Sequence, residues 1–373
     1  MHQKKIIYIF NQNIDNRNIK RFYLAKINKL VKEFRIINFY KNYKTKNRFI
    51  KSKLLKINIK TIIKIIFDEK KGYYIDLSNR SIKEIFFLKL LSLFGYKRIT
   101  IDVGLIPIEN TRYHILKNNL NNKEYIKLLF NLIARLIYKI FYKFLLPKVD
   151  LAFTSGSMGK LLSENGGAKK IVEAHNLDYD NFLNLKKKIT GNNYAVYIDQ
   201  DFGNNEDLKY DGIKFNHKNF EKKISYFLNN INKKKIKIKI AGANRRKLKK
   251  KLFNLKTRYL ITARMISKSK LVIGHNSTAL QYAILFKKPI LLISTEEIRN
   301  VDQIYKHIIN FKKITGCNYM SIDNVNDTNK ILIKNINKKK YTLYIKKYIK
   351  NKKSENIDFF SIFKKNVILN KVS

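Results

Sequence analysis

Cysteine, proline and tryptophan are scarce in this chain of 373 residues. Cys317 is the single cysteine, so no disulfide framework and no cysteine-rich metal site can form within one chain, and a reducing cytoplasm suits it. Three prolines and no tryptophan accompany a heavy use of lysine, isoleucine and asparagine. Codon bias in an AT-rich genome would change all of these frequencies together.

Acidic residues are also few. The chain has 27 of them against 79 basic residues, which gives a formal net charge of +52. One interpretation is a polyanionic partner, either nucleic acid or an anionic membrane face. The other is the same codon bias, which the spread of lysine over the whole chain favours. Composition leaves both interpretations open.

The usual motifs of metal and cofactor chemistry are missing. The six histidines are scattered, and no HxxxH, HExxH or CxxC spacing occurs, so we expect no metal and no cofactor. Walker A, GxGxxG, GxSxG, zinc-finger and RNP-type patterns are absent too, which argues against nucleic acid as the partner. The apolar run at the N-terminus is too short for a signal peptide core and predicts a first strand.

What the chain does contain is a regular alternation of strand-like and helical segments, with 45% hydrophobic residues. This pattern predicts an α/β fold with two Rossmann-like domains. A polar stretch around Gly191 marks the junction, so we place a first domain at 1–188 and a second at 189–340. Residues 341–373 are predicted to form helices that pack back on the first domain.

Residues 270–295 predict a complete βαβ unit. Apolar runs at 271–273 and 290–293 are buried strands, and the helix between them ends before Pro289. Because free N–H groups converge where a parallel strand meets a helix, the turn after the first strand is the leading candidate for binding a phosphate. This turn consists of Gly274, His275, Asn276, Ser277 and Thr278.

A different pattern occupies residues 125–146. In this otherwise apolar run, polar residues recur at every fourth position, at Lys127, Asn131, Arg135, Lys139 and Lys143. They predict one face of a helix, and the central cations argue against a transmembrane span. Two alternatives remain open. The helix lies in the headgroup region of an anionic membrane, or it is buried with one solvated stripe.

Polar residues also follow other predicted strands. Asp102 and Gly104 end the strand at 98–103, and Asp199 and Asp201 follow the strand at 194–198. Residues 155–159, SGSMG, are predicted as a ligand-approaching loop or a tight turn. Arg245 begins a basic run after residues 235–240, where lysine and isoleucine alternate as in a strand near a sheet edge.

The order of these features resembles the GT-B glycosyltransferases, and the second domain resembles bacterial transferases of capsule and surface-polysaccharide assembly. The resemblance lies between residues 171 and 295, and the matching positions are Asp178-Tyr179-Asp180, Tyr194 to Asp201, Thr262-Ala263, His275 to Ala279 and Lys288-Pro289. It implies two domains facing an interdomain cleft. It also implies a cytoplasmic enzyme, peripheral at the inner membrane face, that moves a sugar to a glycan or lipid-linked acceptor. Sialyl- and Kdo-transferase-like relatives use CMP-activated sugars, so a CMP-sugar is the first donor expected.

The resemblance implies roles for the polar residues. Asp102 would be the base that accepts the proton of the acceptor hydroxyl, and the turn at 274–278 would bind the nucleotide-sugar. The remaining candidates, which would bind the substrates at the cleft or help to shape it, are Gly104, Asp199, Asp201 and Arg245. For Asp102, Ser277 and Thr278 the alternative is simple capping of a turn, and for His275 it is a structural role.

Two positions depart from the family pattern. Ala243-Asn244 stand where relatives often have His-Pro, and Asp102-Val103-Gly104 keeps one acid where relatives often have two. Two other hypotheses therefore stand beside an active transferase. One is a degenerate homologue that binds a glycan or a partner without catalysis, and the other is a basic nucleic-acid-binding protein.

Overall fold

The computed structural model describes residues 2–40, 45–55, 71–102, 142–186, 193–204, 215–234, 236–243, 251–323 and 335–369, with isolated residues between these ranges. The chain divides into two compact units. The first unit comprises residues 1–103, 112–177 and 353–373, and the second comprises residues 104–111 and 178–352. Each contains a seven-stranded sheet with helices in the described ranges, so the α/β prediction is confirmed.

The sheet of the first unit has the order β3-β2-β1-β4-β5-β6-β7, and its paired strands are parallel. Its strands are β1 His2–Phe10, β2 Val31–Asn38, β3 Leu54–Leu55, β4 Tyr73–Leu77, β5 Lys97–Ile101, β6 Leu151–Ser155 and β7 Lys170–Ala174. Its helices include α1 Asn16–Arg21, α2 Leu24–Asn28, α3 Arg48–Lys53, α4 Ile82–Leu93 and α5 Gly156–Asn165. From β1 the chain adds β2 and β3 on one side of the sheet and then β4 to β7 on the other, so the strand order reverses between β1 and β4, as in a Rossmann fold.

The sheet of the second unit repeats this order as β10-β11-β9-β8-β12-β13-β14, with its reversal between β8 and β12. All pairs are parallel except β10 with β11. The strands are β8 Tyr194–Ile198, β9 Lys237–Ala241, β10 Lys251–Leu252, β11 Leu255–Arg258, β12 Leu271–Gly274, β13 Ile290–Ser294 and β14 Asn318–Ser321. The helices include α6 Tyr179–Leu185, α7 His217–Lys234, α8 Thr262–Ser267, α9 Leu280–Leu285, α10 Glu296–Arg299, α11 Asp302–Thr315 and α12 Lys338–Tyr344.

The central strands are apolar because both of their faces are covered. Every residue of β8, β12 and β13 is buried. The predicted βαβ unit is confirmed by β12, α9 and β13, whose strands pair in parallel with Ile273 opposite Leu291. Two other sequence predictions were wrong. Residues 156–159 begin helix α5 instead of forming a loop, and β9 lies between β8 and β11 instead of at the sheet edge.

The two units divide the chain differently from the predicted boundaries. The second unit consists of a short segment, residues 104–111, and a long one that begins at Asp178, before the polar stretch around Gly191. The predicted tail is shared between the units. In the second unit, Tyr341 Oη of α12 donates to the Lys288 carbonyl at 3.0 Å, and a π-helical turn follows at Ile345–Ile349.

The last part of the tail packs on the first unit, as predicted for the whole tail. Here α13, Phe359–Phe363, continues into a π-helical segment at Lys364–Leu369. The rings of Phe359 and Phe363 lie 5.4 and 5.5 Å from that of Phe153 on β6. The end of the tail therefore belongs to the core of the first unit, although it follows the second unit in the sequence.

The predicted amphipathic helix at 125–146 falls almost wholly outside the described residues. Its last part, residues 142–145, is helical, and Phe144 there is 71% exposed. Within the ranges that the structure describes, no helix has the length and apolar character needed to span a membrane.

Candidate functional site

The carboxyl ends of β8 and β12 meet where the strand order of the second unit reverses. In α/β sheets this edge is where ligands bind. Gln200 follows β8 and Asn276 follows β12. The Asn276 N–H donates to Gln200 Oε1 at 2.8 Å, and Gln200 Nε2 donates back to the Asn276 carbonyl. The side chain of Gln200 thus fixes the turn after β12 in place.

Sequence reasoning did not single out Gln200. The available signal was its position between Asp199 and Asp201, immediately after a buried strand. An amide that both donates and accepts is suited to pair with the N–H and C=O of one residue, as Gln200 does with Asn276.

Three of the predicted phosphate-binding residues, Asn276, Ser277 and Thr278, are half-buried in this turn. Ser277 Oγ accepts from the Ala279 N–H at 3.2 Å, so its hydroxyl shapes the turn. Asn276 Nδ2 lies 3.1 Å from His307 Nδ1 on α11. Burial lowers the pKa of His307, which favours the neutral imidazole, whose Nδ1 can accept a hydrogen bond from the Asn276 amide.

Thr278 differs from its neighbours in this turn. Within the described part of the chain, its side-chain hydroxyl forms no hydrogen bond, and the residue is half-buried. Helix α9, which follows, has six residues, so its end contributes little dipole. A ligand at this turn would therefore be bound by individual N–H groups and by the Thr278 hydroxyl more than by the helix dipole.

His275 lies in the core and not at the surface of the turn. Its side chain is fully buried, with Nδ1 2.7 Å from the Ile293 carbonyl and Nε2 3.0 Å from Tyr197 Oη. Burial lowers its pKa to about 4, so the ring is neutral at physiological pH. The prediction that His275 binds the nucleotide-sugar directly is therefore corrected to a structural role, in which it ties β12 to β8 and β13. Gly274 is likewise buried, beneath Leu280 and Ile198.

The two acidic residues after β8 are also turned inward. Asp199 Oδ2 accepts from the Ala243 N–H at 3.2 Å, and its Oδ1 accepts from the Asp201 N–H at 3.2 Å. Both acids are buried, and Asp201 has a left-handed backbone with φ of 46°. Asp199 therefore joins the ends of β8 and β9. Of the two roles predicted for these acids, this geometry favours shaping the strand ends over binding a substrate.

Asp102, in the first unit, keeps features of a general base. It follows β5 and is half-buried, and its Oδ2 accepts from the Ser155 N–H at 2.9 Å at the start of α5. Burial raises its pKa, and the bonds from Ser155 partly oppose the shift. A carboxylate with a raised pKa that is oriented by one neighbour is suited to accept a proton. Gly104 has φ of 148°, which a residue with a side chain rarely adopts.

The segment after Asp102 belongs to the second unit from Gly104 onward. Gln281 Nε2 on α9 donates to the Leu105 carbonyl at 2.7 Å, and Asn310 Nδ2 on α11 donates to the Pro107 carbonyl at 3.2 Å. Both donors are buried, so the bonds hold residues 105 and 107 against the helices that follow β12 and β13.

Arg245 lies outside the described residues. Before it, Gly242 packs against the ring of Tyr259, where an added Cβ would come within 2.3 Å. Among the residues that the structure describes, no group of three or more His, Cys, Asp or Glu side chains is placed to hold a metal ion.

Comparisons with known proteins give similarity at the level of whole structures. No protein-family model and no curated protein sequence matches the chain. Among solved structures, Staphylococcus aureus MnaA with UDP is 14% identical, with a TM-score of 0.46 over 100% of this chain and 99% of that one. The wall teichoic acid polymerase TagF is 12% identical, with a TM-score of 0.41 over 92% of this chain and 82% of that one.

A plant protein, Medicago truncatula UGT71G1 with UDP-glucose, is 10% identical, with a TM-score of 0.46 over 92% of this chain and 93% of that one. With TM-scores below 0.5, the description of the fold rests on the strand orders of the two sheets.

Proposed function

We propose that this chain is a glycosyltransferase of the GT-B type, which moves a sugar from a nucleotide-sugar donor to a hydroxyl of a surface glycan or a lipid-linked acceptor. One observation carries the proposal. The Rossmann strand order occurs twice. In the second unit, the turn that carries Thr278, whose hydroxyl has no hydrogen-bond partner among the described residues, lies at the edge where such sheets bind nucleotides. The first donor to test is a CMP-sugar, because of the resemblance described above.

In the proposed reaction the acceptor oxygen attacks the anomeric carbon of the donor sugar. The bond between that carbon and the phosphate oxygen breaks, and the nucleotide leaves with the electron pair. The Asp102 carboxylate takes the proton of the acceptor hydroxyl. Thr278 and the N–H groups of its turn bind the leaving phosphate, whose negative charge they stabilise. Neither a metal nor another cofactor is required in this scheme.

The proposed place of the reaction is the cytoplasmic face of a membrane. Residues 125–146 are the segment that we propose to contact it, and the exposure of Phe144 supports this role. Vesicle binding by a variant with Phe144→Gln would test it, and the matched control is Leu161→Gln on α5, where Leu161 is 48% exposed. Equal vesicle binding by the two variants would exclude residues 125–146 as the segment that contacts the membrane.

The decisive experiment is a panel of CMP-, UDP- and GDP-sugars, measured by the shift in melting temperature. A ligand at about 100 times its dissociation constant stabilises the folded state by about 2.7 kcal/mol. Thr278→Val keeps the branched shape of the side chain and removes the hydroxyl, so we expect it to weaken binding about tenfold. Thr342→Val on α12 is the matched control and should bind like the wild type. If no sugar nucleotide shifts the transition, the proposed function fails.

Asp102→Asn separates catalysis from binding. The variant should bind the donor normally and transfer sugar at least 100-fold more slowly, because general-base catalysis contributes 10²–10⁴-fold. Unchanged transfer would exclude Asp102 as the base.

A second function, donor binding without transfer, is favoured by a separate observation. Around the turn, the side chains of Gln200, Asp199 and His275 are bonded to protein groups and not left free for a substrate. In that case the nucleotide panel gives a shift, while no acceptor yields product with the wild-type chain.

A further inference from the structure

One face of the second sheet carries closely spaced cations. Lys237 and Lys239 alternate along β9 with the buried Ile238 and Ile240. On β11, Lys256 and Arg258 alternate with Leu255 and Thr257, which are buried, and Lys256 lies opposite Lys251 of β10. The cationic face is defined here by Lys237, Lys239, Lys251, Lys256 and Arg258.

The strand register puts these five side chains on the same side. Thr257 pairs with Ile240, so the preceding residues, Lys256 and Lys239, are neighbours across the two strands. Adjacent strands are about 4.8 Å apart and alternate residues along a strand about 6.6 Å apart, so the cations form a two-dimensional array. The pKa of Lys239 is lowered, mainly by burial and to a smaller extent by the nearby positive charges. These charges belong to Lys237, Lys256, Arg258 and Lys268.

The array is not neutralised within the described part of the chain. No acidic side chain there forms an ion pair with any of the five, and Lys237, Lys251, Lys256 and Arg258 are exposed. Lys239 places its ammonium 3.7 Å from the centre of the Tyr194 ring. Since doubly wound sheets normally cover both faces with helices, an open face of this kind points to an external partner.

Exposed apolar residues adjoin the array. Leu260 is 68% exposed and Ile261 41% exposed, two and three residues after Arg258. Leu260 has φ of 62°, a left-handed conformation that is costly for a leucine. Tyr259 turns in against Gly242, and Leu260 is left in solvent.

The apolar pair lies on the same side of the sheet as the cations. Tyr194 is opposite Lys237 in the register, so its side chain is on the cationic side, and its Oη donates to the Met265 carbonyl of α8 at 2.9 Å. Helix α8 therefore covers β8 on that side. Leu260 and Ile261 lead directly into α8, at the rim of the uncovered part.

We propose that this face, with Leu260 and Ile261 at its rim, binds the surface of an anionic lipid bilayer. A flat array of mostly lysine suits a diffuse negative surface, because lysine acts as a point charge without the fixed geometry of arginine. The apolar pair inserts among the headgroups, as amphipathic membrane contacts do. Tyr194, the aromatic residue that the described strands place on the array, is buried under Lys239, so its ring is not free to stack on bases. The binding is independent of the proposed sugar transfer.

The test is co-sedimentation of the full chain with vesicles of phosphatidylglycerol and phosphatidylcholine, compared with phosphatidylcholine alone. The face variant is Lys237→Gln, Lys251→Gln, Lys256→Gln. The control variant removes the same charge at exposed positions of α12 and its π-helical extension, with Lys338→Gln, Lys339→Gln and Lys346→Gln. At about 1 kcal/mol per lysine, the face variant should bind anionic vesicles on the order of 100-fold more weakly. The control should stay within about threefold of the wild type.

A second pair of variants tests the apolar rim. Leu260→Asn suits the left-handed backbone and removes the apolar side chain, and its matched control is Leu343→Gln, because Leu343 is 55% exposed on α12. We expect Leu260→Asn to weaken vesicle binding at least threefold, also at high salt, where charge attraction is screened. Leu343→Gln should have no effect.

Three outcomes would overturn the proposal. The first is an equal loss of affinity for anionic vesicles in the face variant and the control lysine variant, which would show that net charge alone is responsible. Alternatively, vesicle binding is unchanged in the face variant while affinity for duplex DNA falls, which identifies a nucleic-acid surface. Finally, Leu260→Asn binds vesicles like the wild type. A nucleotide-sugar assay takes no part in any of these outcomes, so they are separate from a failure of the proposed function.

Discussion

The two sheets share one strand order, yet polar groups tie their strands together in different ways. In the first unit the tie is charged. Arg98 on β5 is buried and places Nη2 2.5 Å from Asp76 Oδ2 on β4, and its Nη1 donates to the Pro147 carbonyl. Asp76 also accepts from Ser78, and the nearby cations lower its pKa despite the opposing effect of burial.

In the second unit the tie is neutral. His275 joins Tyr197 on β8 to the Ile293 carbonyl on β13, and Gln200 joins the end of β8 to Asn276. A buried ion pair is costly to desolvate and worse to break, whereas a neutral network is cheaper but fails when its imidazole takes up a proton. The same topology is therefore sensitive to different perturbations in its two copies.

The largest expected effect comes from breaking the charged tie. Arg98→Met leaves Asp76 buried without its principal counter-charge, so we expect a loss of about 3–5 kcal/mol in the free energy of unfolding. Urea unfolding measures it. The double variant Arg98→Met with Asp76→Leu should recover at least half of the loss, because no buried charge remains. A loss below about 1 kcal/mol in the single variant would show that the pair is not a structural tie.

The neutral tie should respond to pH. The folded-state pKa of His275 is lowered to about 4 from an ordinary value near 6.5, so folding favours the neutral ring. Its contribution is complete above pH 6.5 and is lost as the pH falls to 4, by about 3 kcal/mol. His307, whose pKa is also lowered, acts in the same direction. Chemical denaturation of the wild type and His275→Gln between pH 7 and 4 isolates His275, because the variant should lack its share of the slope.

Asp76 should respond to pH in a different range from His275, because the pKa of this carboxyl is lowered in the folded state. The ionised form is favoured by folding, so its contribution is present above the ordinary carboxyl pKa and is lost only as the pH falls below that value, through the lowered one. Between pH 6.5 and about 5, Asp76→Asn should therefore leave the slope of stability with pH unchanged, even though the variant is less stable. A changed slope would contradict the assignment of this window to histidine.

A smaller effect is expected at the turn after β12. Gln200→Leu removes both bonds to Asn276 and leaves its half-buried N–H and C=O without their partner, at a cost of about 1–3 kcal/mol. Gln200→Glu is the informative comparison, because a carboxylate can accept from the N–H but cannot donate to the carbonyl. If both variants unfold like the wild type, the Gln200 pairing does not fix the turn.

The smallest expected effect is a difference in stability between two variants, each with an aspartate at a strand end replaced, one in each unit. Asp199 uses both oxygens as acceptors, so Asp199→Asn leaves one N–H facing an amide donor, whereas Asp102→Asn can still present its oxygen to Ser155. We expect the first variant to be less stable than the second by about 1 kcal/mol. Equal melting temperatures would show that the two ends are not organised differently.

Local patterns allowed much of this arrangement to be predicted. The unit of β12, α9 and β13 follows from two apolar runs and a proline, and Asp102 and Asp199 were recognised at strand ends because buried strands are continuous in sequence. Helix α5 was missed since its glycines have low helix propensity. Gly156 and Gly159 are buried there, which shows that packing against β6 and β7 decided the conformation.

The side-chain roles could not be predicted in the same way. His275 and Asn276 are adjacent in a polar turn, yet one is fully buried and the other half-buried. Which side chain enters the core depends on Tyr197 and Ile293, from strands far apart in the sequence. For the same reason Gln200 was overlooked, because its partner lies 76 residues away.

The sequence by itself determined that the chain is α/β, where its most apolar strands lie, and that its charge is strongly positive, since these depend on periodicity and composition. The tertiary structure decided which strand-end residues are tied inward and which stay accessible, because that depends on register and on the neighbours of each strand. It also gathered Lys237, Lys251 and Arg258 on one open face, although they are separate in the sequence. Charge was evident from composition, but only the pairing of β9, β10 and β11 turned part of it into a surface.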